Sequence, residues 1–390
     1  MLAITVRDRT AGIDGLSLTE LPYPHAAEND VIVQVHAAGF TRGELDWPAT
    51  WSDRAGRDRT PSVPGHELSG VVVELGFGTT GLTVGQRVFG LIDWARDGSL
   101  AEYSAVEARN LAPLPADVEH TVAAAVPIAG LTAWQGLFDH ARLMAGQTVL
   151  VTGAAGGVGS MAVQLAREAG AAVIGAGRSA DRGTVIGLGA YDFLDLETEQ
   201  LDDVGEVDVV FDVIGGEFLD RSVDLVRAGG TLVTVAAPPR LRPKDGRALF
   251  FVVEPDRAGL AALTQRLRDG RLRPIVGAVR ALAEAPAAFR PRSADHRQDD
   301  HSGDGRSVRR RRLVRDPRTV LRRQPALAER PATRGADRVD QGLRPQVLEQ
   351  HHRGGPAGLD GVGERPGRVS GVRLVRRSQD VRGQLSRGGI

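Results

Sequence analysis

The feature that most constrains the fold is a strand, a glycine-rich turn and a helix that follow one another directly near the middle of the chain. Val149, Leu150 and Val151 form a continuous apolar run, which is typical of a parallel strand buried on both faces. Four glycines follow between residues 153 and 159, and after them small and apolar residues recur at spacings of three and four, as one face of a helix requires. This order predicts an α/β fold with a doubly wound parallel sheet.

The glycine-rich turn is the first candidate binding site. Residues without a Cβ let a pyrophosphate approach backbone N–H groups, and the start of a helix stabilises negative charge. We therefore expect cofactor contacts at Gly153, Gly156, Gly157, Val158 and Gly159. The spacing is G-x-x-G-x-x-G and not the G-x-G-x-x-G of the usual dinucleotide fingerprint, so the prediction depends on the complete strand, turn and helix. The alternative is a tight turn that binds nothing.

The end of the next strand predicts which dinucleotide binds. Residues 173–176 read as a strand that ends at Arg178 and Ser179. At this point of the fold an acidic residue hydrogen-bonds the 2′-hydroxyl of NAD, whereas Arg accommodates the 2′-phosphate of NADP. Arg178 can pair with a phosphate through its planar guanidinium and Ser179 can donate a hydroxyl hydrogen bond, so we predict NADP(H). The alternative is that Arg178 is a solvated cation and Asp181 binds the ribose.

Two later strand ends predict contacts on the nicotinamide side of the cofactor. Residues 207–211 and 231–236 read as buried strands, and ligands of a doubly wound sheet bind outside the carboxyl ends of its strands. We therefore expect Val213, Gly215, Val235 and Ala236 to lie near the nicotinamide. Ordinary turns at strand ends are the alternative.

The absence of cysteine limits the chemistry that the chain can perform. With no Cys anywhere, disulfides, thiolate nucleophiles and Cys-ligated zinc or iron–sulfur sites are excluded. His66 and Glu67 are residue types that bind Zn²⁺, but two residues without a third protein ligand rarely form such a site. We predict no metal site and a hydrogen-bonded structural role for His66. The first residues lack a signal-peptide pattern and no apolar run reaches the ~18 residues of a membrane helix, so a cytoplasmic protein without a membrane partner is expected.

The last hundred residues differ in composition from the rest of the chain. Residues 291–390 contain 23 Arg, no Lys and 12 acidic residues, whereas residues 1–290 contain 26 basic and 37 acidic residues. Hydrophobic periodicity ends near residue 290, so we expect residues 291–390 to form a disordered Arg-rich tail. GC-rich codons read out of frame produce this Arg, Gly and Pro mixture, which makes a frameshift origin a hypothesis. The arginine run at residues 309–312 invites a nucleic-acid interpretation, but we expect no nucleic-acid partner.

The turn at residues 152–159 is also similar to the start of short-chain dehydrogenases. The chemistry of those enzymes needs a Tyr and a Lys four residues apart. None of Tyr23, Tyr103 or Tyr191 has a Lys four residues later, and the turn lies about 150 residues into the chain. This family is therefore rejected.

Seven motifs spread over residues 36–233 resemble another family of nicotinamide enzymes. They are HAAGFTRGELD (36–46), PGHELSGVVVELG (64–76), VGQRVFG (84–90), GSLAEY (98–103), AAAVPIAGLTAWQGL (123–137), AGQTVLVTGAAGGVGSMAVQLAREAGA (145–171) and RAGGTLV (227–233). Together they make residues 2–290 similar to the medium-chain dehydrogenase/reductase superfamily, in the zinc-free quinone oxidoreductase branch related to zeta-crystallin.

That resemblance implies a domain organisation. A GroES-like β-rich catalytic domain is expected at residues 1–118, with a return segment at about 271–290, and a Rossmann NADP-binding domain at residues 119–270. The family closes its first domain with a terminal strand. If that strand is lost to the shifted frame, the first domain exposes an unpaired strand edge.

The resemblance also implies a reaction, which is NADPH-dependent hydride transfer without metal to a quinone or to the activated C=C of an enone. Conjugation lets such an acceptor take up hydride without a Lewis acid. By resemblance Thr132 lies beside the nicotinamide, and the hydroxyl of Thr41 positions a carbonyl oxygen. Trp47 and Trp51 either form a flat wall for a ring or simply pack their loop. A homodimer is expected, and the alternative function is a non-catalytic NADPH-binding sensor or nucleic-acid-binding protein of the same fold.

Overall fold

Two large β-sheets organise residues 1–290 and 318–322, which are the residues that the computed structural model describes. The first sheet, called the barrel sheet below, takes most of its strands from the amino-terminal third of the chain. The amino-terminal strands are β1 Leu2–Thr5, β2 Ser17–Glu20, β3 Asp30–Gly39, β4 Glu67–Leu75, β5 Arg87–Leu91, β6 Tyr103–Glu107 and β7 Leu111–Pro113. β1 and β2 form a separate hairpin-like pair, whereas β3 runs through the barrel sheet and pairs antiparallel with both β4 and β6.

Short helices connect the barrel sheet to the rest of the chain. They are α1 Pro48–Trp51, α2 His120–Ala123 and α3 Pro127–Trp134, the last of which continues into a π-helical turn at Gln135–His140. Proline occupies the first position of α3, where its missing N–H costs nothing. The next N–H group, that of Ile128, donates to the buried carboxylate of Glu67 at 2.9 Å. A side chain of the barrel sheet therefore fixes the start of α3.

The second sheet is built only of parallel strands and is called the parallel sheet below. Its elements in chain order are β8 Thr148–Thr152, α4 Gly157–Glu168, β9 Ala172–Gly177, α5 Arg182–Gly187, β10 Asp192–Asp195, β11 Val207–Asp212, α6 Glu217–Ser222, β12 Val226–Thr234, β13 Arg247–Phe250 and α7 Arg257–Arg268. The strand order is β10-β9-β8-β11-β12-β13. The chain thus builds outward from β8 on one side and then from β11 on the other, as the predicted doubly wound sheet requires.

The chain returns to the barrel sheet after α7. Its last described elements are β14 Val276–Ala281, α8 Ala285–Phe289 and β15 Arg318–Arg322. The ring of Phe289 stacks on that of Phe40 with centroids 4.1 Å apart. β15 pairs parallel with β14 and antiparallel with β3, and Val320 and Leu321 are buried there. The barrel sheet therefore has the order β14-β15-β3-β4-β5-β7, with β6 also on β3.

The position of β15 corrects the prediction that all of residues 291–390 form a disordered tail. Residues 318–322 are a strand in the barrel sheet, because two adjacent apolar residues at this point can cover the edge of β3 and its neighbouring core. The frameshift hypothesis leaves an edge of the barrel sheet unpaired. In this structure residues 318–322 of the given reading frame pair with β3. The same prediction for residues 291–317 and 323–390 lies outside the described residues. Within the described ranges, no helix is both long and apolar enough to cross a membrane.

Candidate active site

A cleft of about 600 Å³ opens at the carboxyl ends of the parallel strands. Four of the predicted cofactor residues line it, namely Gly153, Gly156, Arg178 and Gly215. The other lining residues are Ala155, Gly177, Asp181, Thr184, Leu196, Glu197, Ile214, Gly216, Phe218 and Ile275. Since the residues that follow β8, β9, β10 and β11 all contribute, the cleft is the crevice at which a doubly wound sheet binds its ligand.

The glycine-rich turn has a geometry that only glycine tolerates. Gly153 has a φ of +62°, a left-handed conformation that residues with a Cβ rarely adopt. A Cβ on Gly159 would lie 2.2 Å from the carbonyl oxygen of Gly153, so the first turn of α4 packs directly against the end of β8. Gly157, Val158 and Gly159 form that first turn, whose N–H groups have no partner within the helix. The turn therefore presents donors and the positive end of α4 to the cleft, as an anionic pyrophosphate needs.

A buried carboxylate holds the ends of three strands together beside this turn. Asp212, the last residue of β11, accepts hydrogen bonds from the hydroxyls of Thr152 at 2.7 Å and Thr234 at 2.8 Å. It also accepts the backbone N–H groups of Ile214 at 3.1 Å and Gly215 at 3.0 Å. Asp212 thus fixes the path of the chain where it passes the cleft, because its oxygens accept donors from β8, β12 and the turn after β11.

The predicted nicotinamide-side residues gather around Asp212. The N–H of Val213 donates to the Thr152 hydroxyl at 3.1 Å, and the N–H of Val235 donates to the Asp212 carbonyl at 3.1 Å. A Cβ on Gly215 would come within 2.7 Å of the Ala236 side chain, so these two residues are in close contact. Thr132 is buried in α3, where its hydroxyl donates to the carbonyl of Ile128 at 2.5 Å.

The end of the cleft at β9 carries both signs of charge. Arg178 pairs with Asp181, with Nε 3.2 Å from the carboxylate, and both side chains are partly exposed. The Ser179 hydroxyl donates to Asp195, which holds the pKa of that carboxyl below its usual range. That Ser179 donates a hydrogen bond to the cofactor stays a prediction, and in this structure β10 ends beside β9 and brings Asp195 to the hydroxyl.

The aromatic residues of the barrel sheet are arranged differently from the predicted wall. Trp51 is 8% exposed, belongs to the barrel core, and donates its indole N–H to the carbonyl of Leu45 at 2.9 Å. Trp51 thus packs its loop, which is the alternative to a flat wall shared with Trp47. Trp47 instead meets Trp94 edge to face, with ring centroids 5.1 Å apart.

Trp94 connects the two sheets. Its indole N–H donates to the carbonyl of Val253 at 3.2 Å, and Val253 lies just beyond the carboxyl end of β13. Thr41 lies at the end of β3 on the same barrel sheet, half-buried, where its carbonyl accepts the N–H of Glu44 at 3.0 Å. Trp94 thus contacts the parallel sheet just beyond the carboxyl end of β13, and the cleft opens at the carboxyl ends of the same sheet.

Comparison with known proteins agrees with this geometry. Residues 27–116 match the family described as alcohol dehydrogenase GroES-like domain, and residues 157–255 match the family described as zinc-binding dehydrogenase. A chloroplast protein of Arabidopsis thaliana, named NADPH-dependent alkenal/one oxidoreductase, is 32% identical over 68% of this chain and 69% of its own length. The quinone oxidoreductase of Sus scrofa is 30% identical over 69% of this chain and 87% of its own length. The chain belongs to the medium-chain dehydrogenase/reductase superfamily.

Membership confirms the predicted family, its quinone oxidoreductase-like character and the predicted combination of a GroES-like β-rich region with a Rossmann sheet. The solved structure of the quinone oxidoreductase from Coxiella burnetii has the same fold, with a TM-score of 0.69 and 24% identity over 83% of this chain and 99% of that one. As a member of this superfamily, the protein is an oxidoreductase that binds a nicotinamide cofactor. The strand, turn and helix around β8 fit that cofactor, because the cleft, the glycine contacts and the start of α4 converge there.

The residues of this chain do not fit the zinc ion in the name of the second family. The chain has no Cys, and the part that the structure describes contains no group of three His, Asp or Glu side chains that could hold a metal ion. His66 and Glu67, the two candidate ligand types, are otherwise engaged. Nδ1 of His66 lies 2.8 Å from Glu44, and Glu67 accepts the Ile128 N–H. The donor set therefore gives no reason to route the chemistry through a metal.

Several residues of the site were missed by sequence reasoning. Leu196 and Glu197 follow β10, and the rule that ligands bind at carboxyl ends could have found them once β10 was recognised. Asp212 ends β11 and could have been found by the same rule. The grouping of Glu44, His66 and Trp94 has no linear signal, because the barrel sheet brings together residues that no motif connects.

Proposed function

We propose that this protein reduces quinones or enones with NADPH and without a metal ion. The observation that carries the proposal is the contact between Trp94 and Val253, which joins the aromatic part of the barrel sheet to the carboxyl edge of the parallel sheet. A flat conjugated acceptor that lies against Trp47 and Trp94 would face a cofactor bound at that edge. The names of the Arabidopsis and pig relatives support this class of acceptor.

The chain's own residues supply binding, orientation and exclusion of water. The turn at residues 153–159 would hold the pyrophosphate, and Asp212 keeps the following turn in place. Thr132 would lie beside the nicotinamide, and Thr41 is proposed to orient a carbonyl oxygen. NADPH, when bound, supplies the hydride. A conjugated acceptor needs mainly this positioning, because its own π-system takes up the electron pair.

The reaction is tested by following NADPH oxidation with 1,4-benzoquinone and with an enone such as 3-penten-2-one. Formation of NADPH from NADP⁺ and a simple alcohol is followed as the comparison. We expect turnover with the quinone and the enone and none with the alcohol. Turnover with the alcohol alone would overturn the proposal. Tight NADPH binding without turnover of any acceptor would instead support a sensor.

The preference for NADPH over NADH is part of the proposal and depends on Arg178. Its ion pair with Asp181 has bonds of 3.2 and 3.3 Å and is partly exposed, so it is weak enough for a phosphate dianion to compete. Arg178→Gln should raise the Kd of NADPH about tenfold and leave that of NADH unchanged. Asp181→Asn is the matched variant and should tighten NADPH binding, because it removes the competing carboxylate. An equal loss for both cofactors in Arg178→Gln would contradict this assignment and favour Asp181 as the ribose ligand.

Two further parts of the proposal are a homodimer, which the resemblance to the family implies, and a cytoplasmic location, which is the sequence-based expectation stated above. Light scattering of the purified protein gives its mass in solution, and fractionation of the source cells gives the compartment. A monomer, or recovery with membranes, would contradict the respective part.

A further inference from the structure

The barrel sheet contains a buried histidine that is only half satisfied. Nδ1 of His66 lies 2.8 Å from Oε1 of Glu44, and both side chains are almost completely buried. The other carboxylate oxygen of Glu44 accepts the N–H of Gly65 at 3.0 Å. Within the described residues, Nε2 of His66 is the buried side-chain nitrogen or oxygen that lacks a hydrogen-bond partner.

The buried Nε2 of His66 is energetically unfavourable without a hydrogen-bond partner. A buried polar atom without a partner costs about 1–3 kcal/mol, and folded proteins leave few of them. An ionised Glu44 can only accept hydrogen bonds, so Nδ1 carries a proton that points at the carboxylate. This arrangement fixes the ring and leaves Nε2 as the atom that receives or donates a second proton.

The surroundings of Nε2 are aromatic. The His66 ring lies 5.0 Å from that of Trp94 and 6.5 Å from that of Trp47, measured between centroids. Both indoles are partly exposed, whereas His66 is buried. Because Trp94 is bonded to Val253 beyond β13, this group lies where the barrel sheet meets the cofactor edge of the parallel sheet. Because the two indole rings touch edge to face, an acceptor must part them to reach Nε2.

We propose that Nε2 of His66, oriented by Glu44, binds the carbonyl oxygen of an acceptor that lies against Trp47 and Trp94 and gives that oxygen the proton that completes the reduction. This inference rests on the proposed function. It names the proton donor and the acceptor class, which is a flat conjugated carbonyl compound. Saturated carbonyl compounds lack the flat conjugated face that can lie against the indoles.

The protonated ring donates from Nε2 to the carbonyl oxygen, and its positive charge is stabilised by Glu44. Hydride from the cofactor forms a C–H bond at the β-carbon, and the electrons of the C=C bond move toward the oxygen as an enolate. The Nε2–H bond then breaks, the O–H bond of an enol forms, and His66 is left neutral. The enol becomes the saturated ketone in water, and with a quinone the same proton yields the hydroquinone.

Substitutions at His66 separate proton transfer from packing. His66→Asn retains an amide donor near the position of Nδ1 and loses Nε2, whereas His66→Gln places an amide donor near Nε2 that cannot release a proton. The matched control is His120→Asn, because His120 is a partly buried barrel histidine with both nitrogens bonded, one to Ser69 and one to Arg87. We expect kcat for the enone to fall about 100-fold in both His66 variants and to change little in the control.

The mechanism predicts more than a lower rate. The solvent deuterium isotope effect on kcat should be present in the wild type and the His120 control and should change in the His66 variants, because another donor must then deliver the proton. His66→Gln should retain a KM for the enone closer to that of the wild type than His66→Asn does, since it still donates to the carbonyl. The Kd of NADPH should stay within about twofold in all variants. Unchanged kcat and isotope effect in both His66 variants would overturn the inference.

Two measurements do not depend on turnover. Long-range ¹H–¹⁵N spectra of the histidine side chains should show His66 protonated at Nδ1, and an Nε2–H tautomer with an unprotonated Nδ1 would overturn the inference. Binding of 4-nitrophenol, a flat oxygen ligand, should quench tryptophan fluorescence in the wild type and weaken at least tenfold in His66→Asn. Equal binding by the two proteins would also overturn it. If the wild type reduces no acceptor, the proposed function fails, whereas these two measurements still test His66 separately.

Discussion

The six strands of the parallel sheet all come from residues 148–250, whereas the barrel sheet joins strands between residues 30 and 113 to two strands beyond residue 275. In the parallel sheet, paired strands are consecutive in the chain except for β11, which crosses back to pair with β8. In the barrel sheet, Val320 of β15 pairs with Gly39 of β3 from almost the other end of the described chain. Local patterns can therefore assemble the parallel sheet. The barrel sheet instead depends on a distant segment that must return to it and that buries very few apolar side chains there.

A buried charge in β15 is the strongest test of whether the barrel sheet depends on this strand. Val320 is fully buried against Ala37 and Ala124. We expect Val320→Asp to lower the free energy of unfolding by about 3 kcal/mol or more, because the carboxylate would be buried without a partner. The matched control is Val279→Asp on β14, since Val279 pairs with Val320 in register but is 42% exposed. It should cost under about 0.5 kcal/mol.

Urea unfolding of both variants measures this difference. A Val320→Asp protein as stable as the control would show that β15 does not hold the barrel sheet together. Loss of the barrel sheet with retained NADPH binding would sharpen the comparison, because it would show that the parallel sheet folds without its neighbour.

The local assembly of the parallel sheet is tested at Gly159. A methyl group there would meet the Gly153 carbonyl oxygen at 2.2 Å, so Gly159→Ala must push α4 away from the turn. We expect a loss of about 1–3 kcal/mol in stability and at least a tenfold weaker Kd for NADPH, measured by calorimetry. The matched control is Gly183→Ala in α5, where an added Cβ meets nothing within 4 Å. That variant should be neutral or slightly stabilising, and equal effects at both glycines would refute the proposed role of the turn.

A third prediction distinguishes the two ends of one strand in the parallel sheet. Asp212 ends β11 at the cleft, whereas Asp208 near its start accepts the Thr148 N–H at 2.8 Å. Either Asp→Asn change turns an amide N–H₂ toward existing donors and should cost about 1–3 kcal/mol. Only Asp212→Asn should also weaken NADPH binding, because it releases the turn at Gly215. If Asp208→Asn weakens binding equally, the effect is a general loss of sheet stability.

The smallest expected effect is a pH dependence that belongs to the barrel sheet alone. Burial, followed by the nearby His36 and Arg87, lowers the pKa of His120 from 6.5 to about 4. As the pH falls from about 6.5 toward 4, the unfolded chain takes up a proton that the folded protein refuses, so stability decreases in that window and is unaffected above it. We expect about 1 kcal/mol, because solvent screens a partly exposed group.

Melting curves between pH 7 and pH 5 check this expectation. His120→Asn should flatten the pH dependence, whereas His25→Asn, at an exposed position, should leave it unchanged. The same slope in all three proteins would assign the effect to other groups.

The two sheets also differ in how far sequence reasoning describes them. Residues 149–151 predict β8, and the glycines after it predict the turn that lines the cleft, because strand, turn and helix are contiguous. For the barrel sheet, the family motifs imply a β-rich region but not which strands pair. β15 was missed because Val320 and Leu321 are a two-residue apolar run in an Arg-rich segment, and so short a run has no periodicity to detect.

The candidate site divides in the same way. The sequence predicts Gly153, Gly156 and Arg178, since each follows a recognisable strand. It does not predict that Asp195 accepts the Ser179 hydroxyl or that the Leu45 carbonyl accepts the Trp51 indole N–H, because tertiary contacts place these partners. Spacing in the chain shows which residues are neighbours along one element, but not which atom a side chain finally meets.

The sequence by itself therefore determined the parallel sheet, its glycine-rich turn and the superfamily, because these follow from hydrophobic patterns and glycine positions over short stretches. Only the tertiary structure decided that β15 completes the barrel sheet and that Glu44, His66, Trp47 and Trp94 form one group. His66 and Glu44 are 22 residues apart, and Trp94 and Val253 are 159 apart. Such contacts depend on how strands pair and which way their side chains point, and those are properties of the folded chain as a whole.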